Sequence, residues 1–115
     1  MYKQCVICIF IDISDDRFDS EVLDDESLVL VVFHASWCFS CKNLLSIIDE
    51  LDESYGDKLK VVRLDVDGQE NGAIIKKYVI RSVPITMFFR NGETIRFLPG
   101  FSSKDQKIPI IDRSV

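Results

Sequence analysis

Apolar and polar positions change their period several times along the chain, and each change marks an element. From Gln4 to Ile13 the apolar residues Cys5, Ile7, Ile9, Ile11 and Ile13 recur at every second position, the period of a strand with one face inside. Ser14 is placed to cap a short helix through Leu23 that turns Phe18 and Val22 inward. Leu28 to His34 is apolar almost throughout, as in a central strand covered on both faces. From Cys38 to Tyr55 the period lengthens, and Cys41, Leu44, Leu45, Ile48, Leu51 and Tyr55 trace one stripe of a helix that Gly56 ends.

A strand over Lys60 to Val66 comes next, and then a helix with Ile74, Ile75 and Tyr78 on its inner face and Gly72 weakening its start. Ile85 to Arg90 and Thr94 to Leu98 flank Asn91-Gly92, a dipeptide suited to the positive φ angles of a tight hairpin. Strands alternating with helices, followed by an antiparallel hairpin, predict an α/β fold: a mixed sheet of about five strands with helices on both faces.

A length of 115 residues predicts a single domain, residues 1–115, with residues 1–3 as a loose end. The net charge of −5 argues against nucleic acid or an anionic membrane surface as partner, since both select a basic patch. No apolar run approaches the ~18 residues of a membrane span. The run Cys5 to Ile11 is too short for a secretory signal; Asp12, Asp15, Asp16 and Asp19 follow it, and no small-residue cleavage site is present. The expected location is therefore a reducing cytoplasm, where paired cysteines serve catalysis or metal binding more often than stapling.

The chemistry concentrates in Trp37-Cys38-Phe39-Ser40-Cys41-Lys42, which joins the central strand to the long helix. Two cysteines at this spacing can close and reopen a disulfide. A helix N-terminus also stabilises a thiolate through its unpaired N–H groups and dipole. Two further segments accompany the motif: Ile80-Arg81-Ser82-Val83-Pro84-Ile85-Thr86, running on into Phe88-Phe89-Arg90-Asn91-Gly92-Glu93, and Pro99-Gly100-Phe101.

With these three segments in this order, the chain resembles the thioredoxin family from about Ile9 to Lys107. The resemblance implies a thioredoxin fold and a thiol–disulfide oxidoreductase that reduces protein disulfides. Cys38 would be the exposed nucleophile and Cys41 the resolving thiol. Pro84 would be the family's cis-proline, leaving the backbone of Val83 to pair with an extended substrate strand. Trp37 and Gly100 would border the same groove, and Phe39 would add an apolar substrate contact beside Cys38. No Gly-x-Gly-x-x-Gly fingerprint is present, so no cofactor is expected, and a thioredoxin reductase or a small thiol would supply electrons. A monomer is expected.

The chain departs from the family in three places. Phe39-Ser40 replaces the usual Gly-Pro between the cysteines, a dipeptide that helps set reduction potential. Val32 occupies the position of a buried aspartate that assists the resolving thiol, and Arg63 that of its lysine partner; Arg63 is then expected to reach solvent, Asp65 or Asp67. The third departure is the C-terminal segment, residues 103–115. Ser103-Lys104-Asp105-Gln106 can open a helix as a capping box, but Pro109 is expected to interrupt it and leave the last helix short or frayed.

Other candidates have simpler readings. On a strand, Cys5 and Cys8 point to opposite faces with Cα atoms ~10 Å apart, beyond the ~7 Å that a disulfide spans. The interval from Cys8 to Cys38 is also too long for a four-cysteine zinc site, so no metal is expected. His34 reads as a packed or half-exposed residue rather than a base for Cys38. Asp49, Glu50, Asp52 and Glu53 read as a solvated helix face, and Trp37 as a groove wall. Two alternative functions keep the fold: a disulfide oxidant or isomerase, and a binding module of low turnover.

Overall fold

The computed structural model describes residues 11–12, 15–67, 72–100 and 104–114. The strands form one five-stranded mixed sheet in the order β1-β3-β2-β4-β5. They are β1 (Ile11–Asp12), β2 (Leu28–His34), β3 (Leu59–Asp65), β4 (Ile85–Arg90) and β5 (Glu93–Pro99). β1 and β2 run parallel to β3, whereas β4 runs antiparallel to both β2 and β5. Only two residues of the expected Gln4–Ile13 strand are described; Ser14, Cys5 and Cys8 lie outside the described residues.

The central position of β2 explains its apolar run. Val29, Val31 and Phe33 join one core; Leu28, Leu30 and Val32 join the other, on the opposite face. The first core is covered by α1 (Asp15–Phe18), its continuation as a π-helical turn (Asp19–Leu23), and α3 (Gly72–Lys77). Phe18 and Val22 are fully buried there, and Phe18, Tyr78 and Phe89 pack with ring centroids 5.6 to 5.7 Å apart. The second core lies under α2 (Phe39–Tyr55) and α4 (Lys104–Ser114) and contains Leu44, Ile48, Leu51 and Ile111.

Local signals end the elements where the sequence puts them. Gly56 takes φ 55° and ψ −125° just past α2, a conformation costly to any residue with a Cβ. Asn91 and Gly92 have φ 52° and 83°, as a tight hairpin between β4 and β5 requires.

The expectation of a short or frayed last helix is corrected. α4 is continuous over eleven residues and contains Pro109. A proline there removes the hydrogen bond to the carbonyl of residue 105, but Pro109 and Asp105 are both on the exposed side, where water can satisfy that carbonyl. The inner side holds Lys107 and Ile111. Lys104 Nζ donates to Glu50 at 3.0 Å and Tyr55 Oη to Asp112 at 2.7 Å, so both ends of the helix are tied to α2.

Candidate active site

At the C-terminal end of β2 the chain turns through Ala35, Ser36 and Trp37 into the first turn of α2. Cys38 caps this helix with an extended backbone, φ −95° and ψ 112°, and its sulfur accepts the N–H of Cys41 at 3.2 Å. Cys38 and Cys41 form a disulfide with Cα atoms 5.3 Å apart, well inside the span such a bond needs. Both are buried, Cys38 at 6% exposure and Cys41 at 1%, so in this disulfide form Cys38 is not the exposed thiol that the resemblance implied. They pack with Ala35 against Val66 and Val83. Ser40 Oγ lies 3.5 Å from Cys38 Sγ.

Val83 and Pro84 approach from the start of β4. Their peptide bond is cis, and Pro84 O accepts the N–H of Gly100 at 2.8 Å. Gly100 takes φ 72°, with nothing within 4 Å of where a Cβ would point. The segments holding Pro84 and Gly100 are thus joined directly, although fifteen residues separate them in the chain.

Beside the disulfide a cleft of about 230 Å³ is lined by Trp37, Val66, Ile75, Ile80, Arg81, Ser82 and Val83. Trp37 is 66% exposed, with its indole held by a 2.7 Å hydrogen bond from Nε1 to Asp67 Oδ2. Asp67 is in turn set by its own N–H, which donates to Asp65 Oδ1 at 2.9 Å. Phe39 was expected to add an apolar surface beside Cys38; Phe39, Pro84 and Gly100 are not among the residues that line this cleft. At 83% exposure the Phe39 ring stands in solvent, with Lys42 Nζ 5.8 Å from the ring centroid.

Beneath the site, Val32 is fully buried and lies between Arg63 on β3 and Thr86 on β4. Arg63 is half-buried. The Thr86 hydroxyl is enclosed and has no hydrogen-bond partner among the described residues. His34, at the end of β2, is half-buried as expected, and its carbonyl accepts the N–H of Val66 at 2.9 Å. Several cleft residues escaped the sequence reading. Val66 and Ile75 carry no motif signal, because ordinary core periodicity accounts for both, whereas Ile80, Arg81 and Ser82 stand in the segment before Pro84 but were given no role in the groove. Asp67 is legible only by pairing a polar loop residue after β3 with a distant tryptophan.

Two cysteines that close a ring at a helix start, next to a cleft wide enough for a peptide side chain, place the chain among proteins that exchange thiols with disulfides. Comparison with known proteins narrows the class. A sequence model of the thioredoxin family matches residues 9–113. The chain is 38% identical to the thioredoxin of Rickettsia prowazekii over 104 residues, which span 90% of this chain and 97% of that protein. It is 34% identical to thioredoxin C-2 of Corynebacterium nephridii over 105 residues, covering 91% of this chain and 95% of that protein. The chain belongs to the thioredoxin family and is a thiol–disulfide oxidoreductase. No helix among the described residues is long and apolar enough to cross a membrane.

Proposed function

We propose that the chain reduces disulfides in other proteins, with Cys38 as nucleophile and Cys41 as resolving thiol. The observation that carries this reading is the placement of Cys38: its sulfur caps α2 and already accepts the Cys41 N–H. In the reduced protein that N–H and the helix dipole stabilise a thiolate on Cys38. The thiolate attacks one sulfur of the substrate disulfide and the other leaves as thiolate. Cys41, losing its proton, then attacks Cys38 and releases the second substrate sulfur. Two electrons pass to the substrate, and the Cys38–Cys41 disulfide remains. A thioredoxin reductase or a small thiol restores the dithiol. The working form is a monomer in the cytoplasm.

Substrate lies along the cleft beside Trp37, with the Val83 backbone, Pro84 and Gly100 bordering the scissile disulfide and Phe39 offering an apolar contact beside Cys38. Val32 gives Cys41 no carboxylate to take its proton, so solvent must accept it and resolution is slower than attack.

A redox titration against glutathione and dithiothreitol, read by thiol alkylation and peptide mapping, tests the reading. The expected result is one reversible Cys38–Cys41 disulfide near about −270 mV, the range of reducing dithiol proteins. Cys38→Ser is expected to abolish reduction of a disulfide-bonded protein such as insulin. A potential above about −200 mV identifies an oxidant or isomerase instead. Unchanged function in Cys38→Ser identifies a binding module.

A further inference from the structure

The hydroxyl of Ser40 faces the reacting sulfur. Ser40 is the second residue of α2, and its Oγ is 3.5 Å from Cys38 Sγ. That contact has different consequences in the two redox states. A disulfide sulfur is a weak acceptor and gains little from a neighbouring hydroxyl. A thiolate has no proton to offer and can only accept, so the hydroxyl turns to donate a charge-assisted hydrogen bond. Ser40 is exposed and its hydroxyl is free to rotate toward the sulfur, while water competes for the same proton. The Cys41 N–H belongs to the backbone and survives most side-chain changes. The hydroxyl belongs to this chain's choice of residue 40; proline, which the family usually places there, offers no donor.

We infer that Ser40 is a second hydrogen-bond donor to the Cys38 thiolate, and that it tunes the potential and nucleophilicity of the pair toward the dithiol state. The inference rests on Cys38 being the nucleophile. When the pair reduces a substrate disulfide, the Cys38 thiolate and the Cys41 thiol become a disulfide. The substrate takes two electrons and the Cys41 proton, and leaves as one thiolate and one thiol. The negative charge on Cys38 disappears in that reaction and the Ser40 hydrogen bond goes with it. The bond therefore stabilises only the reactant side, making the protein a milder reductant than it is without the hydroxyl.

The experiment compares the wild-type chain with Ser40→Ala, Ser40→Thr and Ser40→Pro, using iodoacetamide alkylation of Cys38 across pH and equilibration with glutathione. Ser40→Ala is expected to move the alkylation midpoint to higher pH and to slow alkylation well below that midpoint about two- to threefold, a fivefold smaller thiolate fraction being offset by a more reactive thiolate. Well above the midpoint the same variant is expected to react about twofold faster, since a less stabilised thiolate is the better nucleophile, with a Brønsted slope of about 0.4 to 0.5. The glutathione equilibrium is expected to shift about fivefold toward the disulfide, roughly 20 mV at about 30 mV per tenfold. Ser40→Thr restores all three readings, and Ser40→Pro follows Ser40→Ala. A helix merely loosened at its start does not produce opposite rate changes at low and high pH. Superimposable profiles for wild type and Ser40→Ala, or Ser40→Thr behaving as Ser40→Ala, overturn the inference. Failure of the wild-type chain to form a reversible Cys38–Cys41 disulfide overturns the proposed function, whereas a normal wild-type disulfide with no Ser40→Ala effect overturns the role of Ser40 alone.

Discussion

Lys107 is the one cation that the fold encloses completely among the described residues. It sits one turn before Ile111 on the inner side of α4, and burial pushes its pKa down to about 8. In the unfolded chain the same lysine titrates at its ordinary value of 10.5. Between these two pH values the unfolded state holds a proton that the folded state has released, so stability rises with pH across that window. Below pH 8 the folded protein holds this lysine as a buried cation, which burial disfavours. Urea unfolding at pH 7, 8, 9 and 10 is expected to show a gain of about 2 kcal/mol over this range. At the alkaline end Tyr55 works against this gain, because a hydrogen bond to Asp112 raises its hydroxyl and the folded state keeps that proton longer. Lys107→Met preserves length and removes charge; it is expected to be more stable at pH 7 by about 2 kcal/mol and nearly flat to pH 10. A wild-type profile flat from pH 8 to 10 refutes the argument. The Cys38–Cys41 pair was legible at this scale because two cysteines at a strand-to-helix junction form a local pattern. Thr86 and Lys107 were not, since their burial depends on which strand and helix lie opposite them, and no periodicity in their own segments reveals that.

The elements divide along the same line. α2 announces itself by a stripe of 3.6-residue period, and Gly56 closes it; both are local and both hold in the structure. The hairpin at Asn91-Gly92 is equally local. α4 was misread because its inner side carries a lysine where a stripe search looks for an apolar residue, and because Pro109 is normally a stop signal. What rescues the helix is tertiary: Ile111 in the second core, with Lys104 and Asp112 tied to α2. Pro109 still lacks one N–H, and its ring crowds the carbonyl of residue 105. Pro109→Ala is therefore expected to stabilise the protein by about 1 to 2 kcal/mol, less than the roughly 3 kcal/mol of an interior proline in an isolated helix, because the neighbouring carbonyl is already solvated. Thermal unfolding of the variant measures this, and a lower melting temperature shows that the proline is needed for docking on α2.

At the scale of the molecule, the alternation of strands and helices was enough to foresee a mixed sheet with a core on each face, since each strand's apolar residues must be covered on whichever sides they point to. What that alternation does not reveal is how the short first helix is held. α1 and its π-helical turn offer little length for burial, and a charge network adds to what Phe18 and Val22 provide. Lys60 on β3 reaches Glu21 at 2.9 Å and Asp25 at 3.1 Å, and Arg17 adds a 3.1 Å contact to Glu21. Lys60 and its two acids are roughly a quarter exposed, enough for salt to reach them and too little for water to cancel them. Hydrogen bonds from Lys60, then from Arg17, hold the Glu21 carboxyl below its usual value. Burial pushes the Asp25 carboxyl up, but hydrogen bonds from Ser27 and Lys60 outweigh it and leave the group lowered as well. Depressed carboxyls stabilise the fold above their unfolded pKa values, and that stability disappears as pH falls through the folded ones. The wild-type chain is thus expected to lose stability steadily on acidification below about pH 4.5, where Glu21 begins to protonate in the unfolded chain. Lys60→Met keeps the aliphatic stem and removes the charge. It is expected to cost about 1 to 2 kcal/mol at pH 7, to flatten the acid limb, and to abolish much of the destabilisation that 0.5 M sodium chloride causes in wild type. Denaturant unfolding at pH 7 and pH 3, with and without salt, measures all three. An acid limb as steep in Lys60→Met as in wild type shows that other carboxylates, and not this network, govern unfolding in acid.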